Sequence, residues 1–210
     1  MLGILICYAS FHEFETYQKK NLERFVKCPC KVYILHSEKH PDPSTGHQIN
    51  LNCLLNEAWN ECDSFLLFDN DMILLTDFHE PEESCWYLPQ VREGYEYAWP
   101  NLLYFKKHEL MQRIWFENNS DSGGSTWRYL EATTNKRTIE ADTEGLEEYQ
   151  EKITALGKQH GIGNWFERYI LNGCQIFHFR ALSNWTKYPH EYQEGKKALI
   201  LETVKKINQM

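Results

Sequence analysis

Positive charge is what this chain has least of: across 210 residues, 22 Lys and Arg stand against 30 Asp and Glu, for a formal net charge of −8. Without a broad positive field nothing neutralises a nucleic-acid backbone or an anionic membrane surface, so nucleic acid is excluded as a partner. A small polyanion remains admissible where a metal ion or a few placed donors reverse the sign locally. Long apolar runs are lacking too. The stretch Leu2 to Ala9 is too short to span a bilayer and has neither the basic flank nor the long apolar core of a secretory leader. The expectation is a cytoplasmic protein without a membrane span, in which the sequons at Asn118-Asn119-Ser120 and Asn184-Trp185-Thr186 carry little meaning. The seven cysteines include one tight pair, Cys28-Pro29-Cys30, with no second pair at metal spacing. The pair alone would suit a redox or zinc site, but without a second pair the plain reading is thiols with no assigned chemistry, and the odd count points to free thiols in a reducing compartment. Internal repeats, low-complexity tracts and long like-charge runs are also missing, so the whole chain should fold.

What is present is enough apolar material for one continuous core, 42% hydrophobic and 14% aromatic, and the expectation is a single domain over residues 1–210. Leu2 to Tyr8 reads as a strand buried on both faces, residues 13–26 as a helix and Lys31 to His36 as a second strand. A loop with Pro41, Pro43, Ser44 and Gly46 leads into a helix over residues 47–60, with Leu51, Leu54, Leu55 and Ala58 on one face. Phe65 to Phe68 is a third strand. The order β, α, β, α, β over residues 1–75 predicts a mainly parallel, Rossmann-like sheet flanked by helices. Residues 76–210 are less regular. They contain an apolar segment from Tyr97 to Phe105, a helix near 108–117, a Ser/Gly stretch from Ser120 to Ser125 and a charged region reaching residue 152. A short helix over 164–171, a strand from Cys174 to Phe179 and a closing helix over 191–208 follow.

The chemistry concentrates where Asp69-Asn70-Asp71 interrupts the apolar run from Phe65 to Leu75. Ionised carboxylates in apolar surroundings cost several kcal/mol each unless paired, hydrogen-bonded or metal-bound. With one residue between them, two aspartates can face the same side at the carboxyl end of a strand, where open parallel sheets bind ligands. Their hard oxygens suit Mn²⁺ or Mg²⁺ completed by phosphate oxygens. The bland alternative is a solvated turn, which all three residue types favour.

On Phe68-Asp69-Asn70-Asp71 the chain resembles GT-A nucleotide-sugar glycosyltransferases, whose D-x-D motif follows an apolar strand after a Rossmann-like half. The resemblance implies a GT-A fold, with a nucleotide-binding half over residues 1–75 and an acceptor half over 76–210. It implies a metal-assisted transfer from a nucleotide-diphosphate sugar, a UDP-sugar in the first instance, to a hydroxyl of a glycan or glycoprotein. Asp71 would then ligate the metal, while Asp69 contacts the ribose or reaches the metal. Tyr8, Ala9 and Ser10 would hold base and ribose, with Asn52 and Asn70 near the donor nucleotide. A late histidine often completes such a metal site, and Phe177-His178-Phe179-Arg180 is similar to that arrangement, with Arg180 or Lys187 gripping the diphosphate. The family's late motif has glycine three residues after the histidine, where this chain has Ala181. His178 also reads as a packed core histidine.

Tyr97 to Phe105 resembles the segment beneath the donor sugar, and Gly123 to Trp127 an acceptor loop, against a plain reading of packing plus a turn. An inverting enzyme needs a carboxylate base near the acceptor hydroxyl, and Asp121 and Glu167 are the candidates. Within the family the likeness is to small glycosyltransferase modules of large chlorella-type algal viruses that decorate capsid protein. That likeness implies the host cytoplasm and leaves room for a longer parent chain. Two rival readings stand beside it: a haloacid-dehalogenase-type phosphatase with Asp69 as nucleophile, and a non-catalytic nucleotide-sugar-binding module.

Overall fold

The computed structural model describes residues 1–38, 40–92, 94–107, 116–117, 122–163, 166–180 and 188–209. In chain order the strands are β1 (Leu2–Tyr8), β2 (Cys30–His36), β3 (Ser64–Phe68), β4 (Met72–Leu74), β5 (Cys85–Arg92), β6 (Tyr95–Lys106), β7 (Lys136–Thr138), β8 (Glu140–Asp142), β9 (Glu167–Leu171) and β10 (Cys174–His178). The helices are α1 (Glu15–Phe25), α2 (Pro43–Ala58), α3 (Trp127–Ala132), α4 (Glu147–His160) and α5 (His190–Gln209). Packing divides them between two compact units, one of residues 1–9, 27–69 and 79–140, the other of residues 10–26, 70–78 and 141–210.

The first unit is an α/β layer around a six-stranded sheet of order β2-β1-β3-β6-β5-β7. β1 pairs in parallel with β2 and β3, as the strand–helix alternation predicts. The sheet as a whole is mixed rather than mainly parallel, because β6 runs antiparallel to both β3 and β5. The reason is local. β5 and β6 are joined by a tight turn at Gly94, whose φ of +84° suits a residue without a side chain, and a hairpin can only pair antiparallel. α2 begins at Pro43, earlier than the apolar pattern suggests, because Asp42 accepts a hydrogen bond from Ser44 N and proline fits the first turn. Its buried face, Leu51, Leu54, Leu55 and Ala58, shares a core with Leu5, Phe65 and Phe105.

The second unit holds a four-stranded sheet of order β4-β10-β9-β8, in which β10 pairs antiparallel with β4 and β9. β4 is an edge strand, yet its outer edge is not bare. From α1, Asn21 receives Leu74 N at 2.7 Å and donates to Leu74 O at 3.0 Å, while Gln18 donates to Met72 O at 2.8 Å. Two buried side-chain amides thus replace the missing ladder partner, as buried backbone groups require. On one face of β10, Phe177 packs edge-on to Tyr149 of α4 at 5.6 Å, and Tyr149 meets Phe179 at 5.1 Å.

Two sequence expectations are corrected here. Residues 167–171 form a strand and not a helix, since Tyr169 and Leu171 alternate inward with period two. The charged region before residue 160 contains α4, whose buried residues Tyr149, Ile153 and Gly157 recur every fourth position. The expected helix near 108–117 lies almost wholly outside the described residues, as do both sequons. Among the described residues no helix is long and apolar enough to cross a membrane.

Candidate metal centre

β3 delivers the chain to Asp69, the last residue of the first unit at that point, and Asn70 and Asp71 lead directly into β4 of the second. Asn70 donates from Nδ2 to Ser10 O at 3.1 Å. Asp71 is 3% exposed. Because β10 returns antiparallel along β4, His178 stands opposite Met72, and Phe179 N extends the ladder by donating to Asp71 O at 3.0 Å. This register brings His178 Nε2 to 2.9 Å from Asp71 Oδ1, with His178 itself 4% exposed. A carboxylate and an imidazole, both buried, therefore converge in the second unit.

β9 supplies the other side of the imidazole. Glu167 is the cross-strand partner of His178, and Tyr169 lies on the diagonal. The Tyr169 hydroxyl donates to Glu167 Oε2 and lies 3.2 Å from His178 Nδ1. Arg180 Nη2 sits 2.5 Å from Glu167 Oε1. Burial pulls the Glu167 carboxyl upward, but hydrogen bonds from His178 and Tyr169 and the Arg180 charge outweigh it and leave the group below its ordinary range. Burial, then the hydrogen bond to Glu167, drives the Tyr169 phenol well above its usual value. From α5, the buried Lys196 ammonium donates to Arg180 O, and burial pushes it down to about 8 against a weaker attraction from Asp71. Arg180 adopts φ +51°, a left-handed conformation unusual for a side-chain-bearing residue, and Lys196 holds its carbonyl there. The Tyr149 hydroxyl is buried with no hydrogen-bond partner among the described residues, and burial first, then Tyr192 and Asp71, raises it.

In the first unit, Asp69 Oδ2 accepts from Asn101 Nδ2 and lines a small recess with Cys7, His47, Phe68 and Asn101. Tyr8 is fully buried and stacks on His36 at 5.7 Å, whereas Ala9 is exposed. Asn52 lies in the middle of α2. Its amide grips the Phe116 backbone in both directions, donating to O at 2.8 Å and accepting from N at 3.0 Å, which is a structural task. The Gly123 segment is docked on β6: a Cβ there would meet Ala98 O at 2.4 Å, and Thr126 Oγ1 accepts from Ala98 N at 2.8 Å. This matches the plain packing reading.

Asp121 and Lys187 lie outside the described residues. The sequence singles out neither Tyr169 nor Lys196 as a site neighbour, whereas Asn101 falls within the Tyr97–Phe105 segment already noted. For Tyr169 a signal existed, the alternation Glu167, Tyr169, Leu171 facing a histidine-bearing strand.

No family model matches the chain, and no curated protein matches it. A solved structure described as the crystal structure of A197 from STIV is similar at 10% sequence identity, with a TM-score of 0.45 and 86% of each chain covered.

Proposed function

We propose that this chain is a metal-dependent glycosyltransferase of the GT-A type, moving a sugar from a nucleotide-diphosphate sugar to a hydroxyl of a glycan or glycoprotein. The observation that carries the reading is the buried approach of Asp71 and His178, from residues more than a hundred positions apart, immediately after the apolar strand that ends in Asp-Asn-Asp. The donor set fits a divalent cation. Adjacent ligands of an octahedral ion with bonds near 2.1 Å lie about 3 Å apart, and Asp71 Oδ1 and His178 Nε2 are separated by 2.9 Å.

When bound, Mn²⁺ or Mg²⁺ would offset the negative charge that develops on the departing nucleoside diphosphate. The chain's own residues do the rest. Asp71 and His178 would hold the cation, and within the first unit Asn101 orients the Asp69 carboxylate. Glu167 suits the support of His178 better than proton abstraction, since both its oxygens are engaged and its lowered pKa makes it a weak base. UDP titrated calorimetrically in Mn²⁺ and in chelator tests the reading. Binding is expected only with the metal, and equal affinity in both solutions would refute it.

A further inference from the structure

The hydrogen bonds around His178 run in one direction. Arg180 Nη2 lies 2.5 Å from Glu167 Oε1, so the Glu167 carboxylate is held ionised and can only accept. The Tyr169 hydroxyl owns one proton and donates it to Glu167 Oε2. Toward His178 Nδ1, 3.2 Å away, the Tyr169 oxygen therefore has only lone pairs to offer. Glu167 Oε2, 3.9 Å from the same nitrogen, is an acceptor as well. A proton on Nδ1 satisfies both neighbours. In a neutral imidazole that choice leaves Nε2 bare. With the proton on Nδ1 alone, Nε2 faces the Asp71 carboxylate at 2.9 Å as a second acceptor, and a cation between the two would replace their repulsion by two bonds.

We infer that Tyr169 is a positioning residue of the metal site: backed by Glu167 and Arg180, it fixes His178 with the proton on Nδ1 and turns Nε2 toward the cation shared with Asp71. The inference rests on the metal-site reading above and adds to it the device that selects the ligating nitrogen. The device stands on paired strands. Glu167 lies across the β9–β10 ladder from His178 and Tyr169 on the diagonal, so their spacing is set by backbone register and not by a mobile loop.

Tyr169→Phe removes the oxygen and keeps the buried ring. Mn²⁺ affinity measured by calorimetry should fall about 10- to 100-fold, the usual effect of losing an outer partner of a ligating histidine. Ring ¹⁵N spectra supply a readout that packing alone does not move. In the wild-type protein His178 should carry its Nδ1 proton both without metal and with Zn²⁺ as a diamagnetic probe, and Nε2 should be the nitrogen that shifts on Zn²⁺ addition. In Tyr169→Phe an Nε2-protonated form should appear. A wild-type His178 protonated at Nε2 alone overturns the inference without any variant needing to fold. If wild-type protein binds Mn²⁺ and Tyr169→Phe binds it equally well, this inference falls while the metal reading stands. If wild-type protein does not bind Mn²⁺ at all, both fall.

Discussion

Lys196 gives the sharpest quantitative test of how the second unit is built. The residue is 1% exposed, and burial lowers its pKa from 10.5 to about 8. The unfolded chain then holds this proton more tightly than the folded one. Below pH 8 both states carry the charge and the folded state bears the full penalty. Between about pH 8 and 10.5 the folded lysine is neutral first, so stability contributed by this residue rises with pH. At about 1.4 kcal/mol per pH unit of separation, the penalty at pH 7 is about 3 kcal/mol. Lys196→Met keeps the aliphatic stem and removes the charge, but leaves Arg180 O without its donor, a loss of about 1 kcal/mol. The variant should therefore be more stable than wild type at pH 7 by about 2 kcal/mol, a rise of roughly 4–8 °C in Tm for a chain of this size. Paired denaturation curves at pH 7 and pH 10 decide it, because the gap should close or reverse at the higher pH. A variant less stable than wild type at pH 7, or a gap independent of pH, would refute the reasoning.

Three further outcomes follow from the geometry. His178→Ala should weaken Mn²⁺ binding more than it lowers the melting temperature; unchanged metal affinity in folded protein removes His178 from the site. Asn21→Leu leaves Leu74 N and Leu74 O buried and unpaired at about 1–3 kcal/mol each, so urea unfolding should show a loss of roughly 2–6 kcal/mol, and a loss below about 1 kcal/mol would show that β4 does not depend on α1. Asn52→Ala should lower stability through the Phe116 backbone while leaving UDP affinity in Mn²⁺ unchanged, and a selective loss of UDP binding would return Asn52 to the nucleotide site.

The legible parts of the sequence were those where one physical signal dominates. β1 and β3 are continuous apolar runs, and β1 pairs in parallel on both sides as such runs require. Asp69 and Asp71 stood out because they interrupt one, and His178 because it ends a late apolar strand. The mixed character of the first sheet was not legible, since it follows from a hairpin turn at Gly94 and not from strand composition. α4 was hidden because only three of its 14 residues are buried, too sparse a stripe among charges. β9 is not legible as a strand because five residues with two inward side chains satisfy a helical period as readily as an alternating one. The Tyr169–Glu167 support of His178 depends on the β9–β10 register, which the alternation within β9 does not by itself reveal.

The dependence of β4 on β10 also sets an order of events during synthesis. Residues 70–78 leave the ribosome about a hundred residues before Cys174 to His178, and until then this three-residue strand has no ladder partner in its own unit beyond the amides of α1. Closing so long a loop carries an entropic term of about 4 kcal/mol, so the pairing is a high-contact-order step that belongs late in folding. The meeting of Asp71 with His178 thus waits until β10 has been made. In a growing chain, the apolar residues Met72 to Leu74 wait without β10 while about a hundred further residues are added, which makes them a stretch that a nascent-chain chaperone would be expected to shield.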